Sequence, residues 1–165
     1  MIFGMDADTL LLYCRALIED YSDLGGASQT TLANSLWCDP DLELEKRFAA
    51  DCAYQFGAEL FHADLQDPAT VKAVNGWVDK ATHGMIPQVV DRFDEEAVLA
   101  LVNAIYFKNQ FQRPFETPTH EWFIDFHNAD GTTSQPQGMS NGTRRERYLT
   151  HQGGQGVVLP YDDGK

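Results

Sequence analysis

Residues 97–108, Ala-Val-Leu-Ala-Leu-Val-Asn-Ala-Ile-Tyr-Phe-Lys, are apolar at nearly every position. Read with a period of two, one face is Leu99, Leu101, Asn103, Ile105 and Phe107, and the other is Val98, Ala100, Val102, Ala104 and Tyr106. A strand apolar on both faces belongs in the middle of a sheet covered on both sides. Alanine and leucine also suit a helix, but the β-branched and aromatic run from Val102 to Phe107 favours a strand. Asn103 is the polar exception, and on a buried apolar face its amide must find partners.

The segments ahead of this run alternate between helix and strand. Residues 8–21 place Leu10, Tyr13, Cys14, Leu17 and Tyr21 at spacings of three and four, with Asp8 as the expected N-cap and Leu24-Gly25-Gly26 as the stop. Residues 30–38 read as a strand ended by Asp39-Pro40. Leu44, Phe48, Cys52 and Phe56 form one face of a helix over 43–56, closed by Gly57, and Ala58 to Leu65 reads as a short strand. Asp67-Pro68 opens a helix with an acidic cap and proline at its first position. Val71, Val74, Val78 and Ala81 give it a buried stripe with Trp77 alongside, and Gly84 suits its end.

Beyond Pro114 the pattern turns strand-rich. Trp122 to Phe126, Arg144 to Thr150 and Gly156 to Tyr161 read as strands, with turn signals at Asp130-Gly131 and Asn141-Gly142. The final Asp162-Asp163-Gly164-Lys165 is a hairpin turn signal with no strand after it, so the chain is expected to be a piece of something longer.

Composition narrows the functional classes. At 165 residues and 43% hydrophobic content the chain suits one domain with a real core. No run of 18 apolar residues spans a membrane, and no basic, then apolar leader opens the sequence. Twenty-five acidic against twelve basic residues give a formal charge of −13, which disfavours nucleic acid, heparin-like polyanions and anionic lipid. Cys14, Cys38 and Cys52 form no C-x-x-C and cannot all pair; Cys14 and Cys52 fall on apolar helical faces and read as small hydrophobes. His62, His83, His120, His127 and His151 share no metal-ligand spacing, and no nucleophile elbow or phosphate loop is present. An enzyme, a metal site and a cofactor are therefore not expected. Asn141-Gly142-Thr143 is a glycosylation sequon that equally makes a turn.

Three segments carry a family resemblance. Val74-Asn75-Gly76-Trp77-Val78-Asp79-Lys80-Ala81-Thr82-His83-Gly84-Met85-Ile86 resembles the helix F pattern of the serpins, the serine protease inhibitor superfamily. Leu101-Val102-Asn103-Ala104-Ile105-Tyr106-Phe107-Lys108, continuing to Pro114-Phe115, resembles the serpin strand 3A signature. Val158-Leu159-Pro160-Tyr161 is similar to the serpin Leu-Pro-Tyr at the end of strand 2B. The three stand in serpin order and spacing.

The resemblance implies an α+β fold, with helices on a partial sheet A and a strand-rich C-terminal third belonging to sheets B and C. It labels 8–21 as helix D, 30–38 as strand 2A, 43–56 as helix E, 58–65 as strand 1A, 68–83 as helix F and 97–111 as strand 3A. Residues 1–165 would be one partial domain, with helices D to F and strands 1A to 3A in 1–113 and sheet C and B strands in 114–165. The slim Val102/Ala104 face suits a helix packed closely over it, and the bulky Leu101/Ile105/Phe107 face suits a core.

The resemblance also implies a mechanism. A serine or cysteine protease cleaves an exposed loop, and the loop inserts between strands 3A and 5A, carrying the protease with it. Helices A and B, strand 5A and the reactive loop have no counterpart here, so the chain alone is expected to be inactive. A non-inhibitory serpin, and a module that self-associates through the open edge of strand 3A, are the other readings. By resemblance Asn103 is the shutter asparagine, whose usual partners, helix B serines and a strand 5A histidine, lie outside the chain. Phe111 holds the breach position, where most serpins have tryptophan, and Trp77 packs helix F. Helix D has Arg15 alone against Asp8, Glu19 and Asp20, so heparin binding is not expected. The compartment stays open, with the unpaired cysteines and the lack of a visible leader pointing to a bacterial or intracellular setting.

Overall fold

The computed structural model describes residues 4–22, 28–117, 123–142 and 145–162. They divide into two compact units, Met1–Gly25 with Gln29–Lys108, and Gly26–Ser28 with Asn109–Lys165.

The first unit contains α1 (Ala7–Ser22), β1 (Gln29–Cys38), α2 (Lys46–Phe56), β2 (Glu59–His62), α3 (Pro68–Ala81) and β3 (Leu99–Lys108). Local chemistry sets the helix limits. Asp6, just ahead of the expected Asp8, accepts the Thr9 N–H at 2.9 Å and so caps α1. Glu45 accepts the Phe48 N–H at 2.7 Å, so α2 starts at Lys46 rather than at 43. It ends on Gly57, whose φ of 60° fits a residue without Cβ. Asp67 accepts the Ala69 N–H at 2.8 Å and Pro68 follows it, as the sequence predicts. The Leu24-Gly25-Gly26 stop lies outside the described residues.

The sheet has the order β2-β1-β3. β1 runs parallel to β2 and antiparallel to β3, with Asn34 opposite Asn103 and Ala33 opposite Ala104. Alternation puts Leu32, Asn34, Leu36 and Cys38 on one face, opposite Ile105, Asn103, Leu101 and Leu99. The other face carries Ala33, Ser35 and Trp37 opposite Ala104, Val102 and Ala100. α3 covers this second face. Trp37, Leu65 and Val74 are buried together there, and Phe61, Trp77, Ala100 and Val102 pack around them. Trp37 and Phe61 stack at 4.2 Å. The stripe facing the sheet is Thr70, Val74, Val78 and Thr82, all buried.

Three sequence expectations change. Among the described residues β3 is an edge strand, not a central one. Its slim face is buried at Ala104, but Leu101, Ile105 and Phe107 on the bulky face are 71%, 62% and 48% exposed. On that face α2 residues Phe48, Cys52 and Phe56 lie near Leu36, which is buried. Alternation reports which surroundings a strand tolerates; it does not supply the cover. In α1, Tyr13, Leu17 and Tyr21 are exposed, while Leu10, Leu11, Cys14, Arg15 and Ile18 are the half-buried positions. The strand read over 58–65 pairs only at Glu59–His62, because Asp64 accepts the Gln66 N–H at 2.8 Å and turns the chain, leaving Leu65 as a plug.

The second unit holds two hairpins. β4 (Phe126–His127) pairs with β5 (Thr133–Ser134), and β6 (Arg147–His151) pairs with β7 (Gly154–Val158). Asp130 fixes the first turn by accepting the Thr132 N–H at 2.9 Å, beside Gly131 at φ 83°. Trp122, Arg144 and the Asp163-Gly164 turn lie outside the described residues. The strand read from Gly156 to Tyr161 ends its ladder at Val158, two residues before Pro160, which cannot donate.

Candidate functional site

Asn103 sits mid-strand on β3, level with Asn34 on β1. Its Nδ2 donates to Asn34 Oδ1 at 2.8 Å and, more weakly, to Ala33 O at 3.3 Å. Asn34 Nδ2 donates in turn to Phe56 O at 2.8 Å. Phe56 is the last residue of α2, where a carbonyl lacks an intrahelical partner. Two strands and a helix end are thus joined by one chain of amides. Beside it lies a cavity of about 330 Å³ lined by Asn34, Leu36, Phe48, Cys52, Leu101 and Asn103.

The apolar pattern predicts Asn103 buried, and the family resemblance implies partners outside the chain. Asn103 is exposed, and its partner Asn34 is within the chain. Asn34 was missed because only the β1–β3 register sets it opposite Asn103. Its one sequence signal is a polar residue between Leu32 and Leu36 on the apolar face.

Trp77 is half-buried against the core, and it also donates from Nε1 to Glu59 Oε1 at 2.8 Å, tying α3 to β2. Neighbouring motif residues are structural pins. Asn75 accepts the Val89 and Val90 N–H groups at 2.8 and 3.0 Å and donates to Val90 O at 2.7 Å. Thr82 Oγ1 donates to Val78 O at 2.8 Å and accepts the Ile86 N–H at 3.0 Å. Trp77 and Asn103 belong to opposite faces of the sheet.

Phe111 lies in the second unit. Its ring stacks on Tyr161 at 5.1 Å and meets Phe115 edge-on at 5.6 Å. Backbone bonds flank it, from Gln112 N to Pro160 O and from Asp162 N to Gln110 O, each 2.9 Å. The Leu-Pro-Tyr segment is therefore clamped to Phe111 by ring stacking and flanking backbone bonds.

The described cysteines and histidines make local contacts. Cys38 and Cys52 are buried, and burial pushes both thiols above the ordinary range, away from thiolate. Cys38 Sγ lies 3.3 Å from Phe61 O and 3.4 Å from His62 Nδ1. His83 stacks on Tyr106, and His127 Nδ1 lies 3.3 Å from Thr133 Oγ1. His120 lies outside the described residues. Among the described residues, no three metal-binding side chains gather and no helix is long and apolar enough to cross a membrane. The sequon turns at Gly142, with φ 82°, and its Thr143 lies outside the described residues.

Helices packed on a partial sheet, followed by a strand-rich final third, define an α+β class. The family model "Serpin (serine protease inhibitor)" matches residues 5–165, and the chain belongs to the serpin family. Among curated relatives, alpha-1-antiproteinase of Callosciurus caniceps is 37% identical over 106 residues, which is 64% of this chain and 26% of that protein. Alpha-1-antiproteinase of Rattus norvegicus is 35% identical over 106 residues, again 64% of this chain and 26% of that one. The matched stretch thus spans about a quarter of the length of these relatives. Among solved structures, the thermophilic serpin tengpin in its native state aligns with a TM-score of 0.83 at 25% identity, covering 97% of this chain and 40% of that one. A loop C-sheet serpin polymer aligns with a TM-score of 0.83 at 25% identity, covering 98% and 42%.

Proposed function

We propose that this chain forms one wall of the strand-accepting slot in an inhibitor of serine or cysteine proteases, and that it does not inhibit alone. The observation that carries this reading is β3: a ten-residue edge strand, pinned at its middle through Asn103, Asn34 and α2. An inhibitor that traps by strand insertion needs such an edge, and it needs the wall strand held fast to the sheet behind it, as the Asn103–Asn34 bond holds β3 to β1, so that a new strand enters on the other side. In this reading Asn103 is the shutter residue with Asn34 as its partner, Phe111 seals the breach, and Trp77 fixes α3. The family names of the relatives support the inhibitor class.

The test compares this chain with the product of the complete open reading frame. Each is incubated with trypsin-like, chymotrypsin-like and papain-like proteases and examined for substrate turnover and denaturant-stable complexes. The full product should form a covalent complex with at least one protease, and this chain with none. A complex formed by this chain would refute the reading. A full product inert against all of them would favour a non-inhibitory serpin.

A second reading rests on a separate observation: Leu101, Ile105 and Phe107 are exposed on β3, which among the described residues is an edge of the three-stranded sheet. The 165-residue chain would then self-associate through that edge. Sedimentation at falling concentration tests it, and a dilute monomer that binds no apolar dye would refute it.

A further inference from the structure

The two ends of α3 are held by different means. Asp67 caps its start, Val74 and Val78 are buried along it, and Asn75 and Trp77 bond to neighbouring segments. Toward its C-terminus the helix borders a cavity of about 280 Å³, lined by Thr31, Ala33, Glu59, Trp77, Lys80 and His83. Helix and sheet are not in full contact there.

His83 follows the C-cap residue Thr82 and has φ 52°; among the described residues it is the non-glycine residue with positive φ. That region brings Cβ close to the backbone and is left to glycine or asparagine at most helix ends. Gly84, the sequence candidate for this role, takes φ 84° immediately after it. A histidine held in this conformation needs a compensating contact. It has one: its ring centroid lies 4.4 Å from that of Tyr106, tilted by 41°. Tyr106 is half-buried on β3, and its cross-strand partner Thr31 lines the same cavity.

We propose that His83 and Tyr106 form a latch. The ring pair presses the end of α3 onto β3, and with the pair broken the segment from Thr82 to Ile86 opens as a local unit while the rest of α3 stays down. Three features combine to make this segment the weak point of the helix: a strained backbone, a cavity beneath it, and exposed residues at Met85 and Ile86 beyond it. Thr82 completes the device. Its buried hydroxyl donates to Val78 O and accepts from Ile86 N, and both bonds are opened to water when the latch lifts. The latch is independent of whether the protein inhibits a protease.

Native-state amide exchange on the 165-residue chain tests it, read at Thr82, Gly84, Met85 and Ile86 against Asn75 and Val78. His83→Ala and Tyr106→Leu should each speed exchange in the first group about threefold to tenfold, the range of an aromatic pair. The double variant should do no more than either single one, and Tyr106→Phe should leave exchange unchanged. His83→Gly, which loses the ring but also the backbone strain, should fall between wild type and His83→Ala. Unchanged exchange at 82–86 in either single variant, additive effects in the double, or equal acceleration at Asn75 and Val78 would each overturn the latch.

Discussion

Replacing Asn34 with alanine separates the two ends of the amide chain. The substitution removes the bond from Asn103 Nδ2 at 2.8 Å and the bond to Phe56 O at 2.8 Å. A protein hydrogen bond is worth about 1 kcal/mol net, and a half-buried group left unpaired costs about as much again. The Phe56 carbonyl is such a group, while the exposed Asn103 amide recovers part of its loss from water. Asn34→Ala should therefore cost about 1.5–2 kcal/mol. Asn103→Ala, which breaks the outer link and the weak bond to Ala33 O but leaves the Phe56 carbonyl paired, should cost about 0.5–1 kcal/mol. The assay is urea unfolding followed by tryptophan fluorescence, since Trp37 and Trp77 both lie in the first unit. A double-mutant cycle should give a coupling of about 0.5–1 kcal/mol. If Asn103→Ala costs as much as Asn34→Ala, or the coupling is below about 0.3 kcal/mol, the proposed order of the chain is wrong.

Asn75→Ala strips three bonds from the loop after α3 and should destabilise the first unit by about 2–3 kcal/mol, read from the urea midpoint. The Glu45 carboxylate is held below its ordinary range by the Arg47 and Phe48 backbone N–H groups. Its contribution is therefore full above about pH 4.3 and is lost as pH falls through the lowered folded value. Glu45→Gln should shrink the drop in stability between neutral and acid pH; an undiminished drop would remove the cap from the account. Ile105→Lys puts a charge on the exposed face of β3 and should weaken self-association about tenfold or more by sedimentation, with no such change from Tyr54→Lys at an exposed helix position.

Much of the molecule was legible in the chain. Asp67-Pro68 and Gly57 mark helix ends because capping is a matter of neighbouring residues, and both appear where the sequence places them. Val74 and Val78 of the α3 stripe and a strand within 97–108 follow from periodicity, but Thr70 and Thr82, not Val71 and Ala81, complete the buried stripe. The family rests on motifs that also need only sequence order. Finer boundaries slipped wherever one side chain chose the cap, as Asp6 did over Asp8 and Glu45 did over earlier positions.

What sequence alone determined is the alphabet of elements and the family. Apolar spacing and capping chemistry act within a few residues, so they can be read without knowing what folds against what. Tertiary structure decided the rest. Only the antiparallel register sets Asn34 against Asn103, since two strands about seventy residues apart carry no local record of their alignment. Only the packing of α2 and α3 decides that Ala104 is buried while Ile105, its neighbour in sequence and equally apolar, faces water. A residue's hydrophobicity states what burial would gain; whether another surface arrives to collect that gain is a property of the assembled fold.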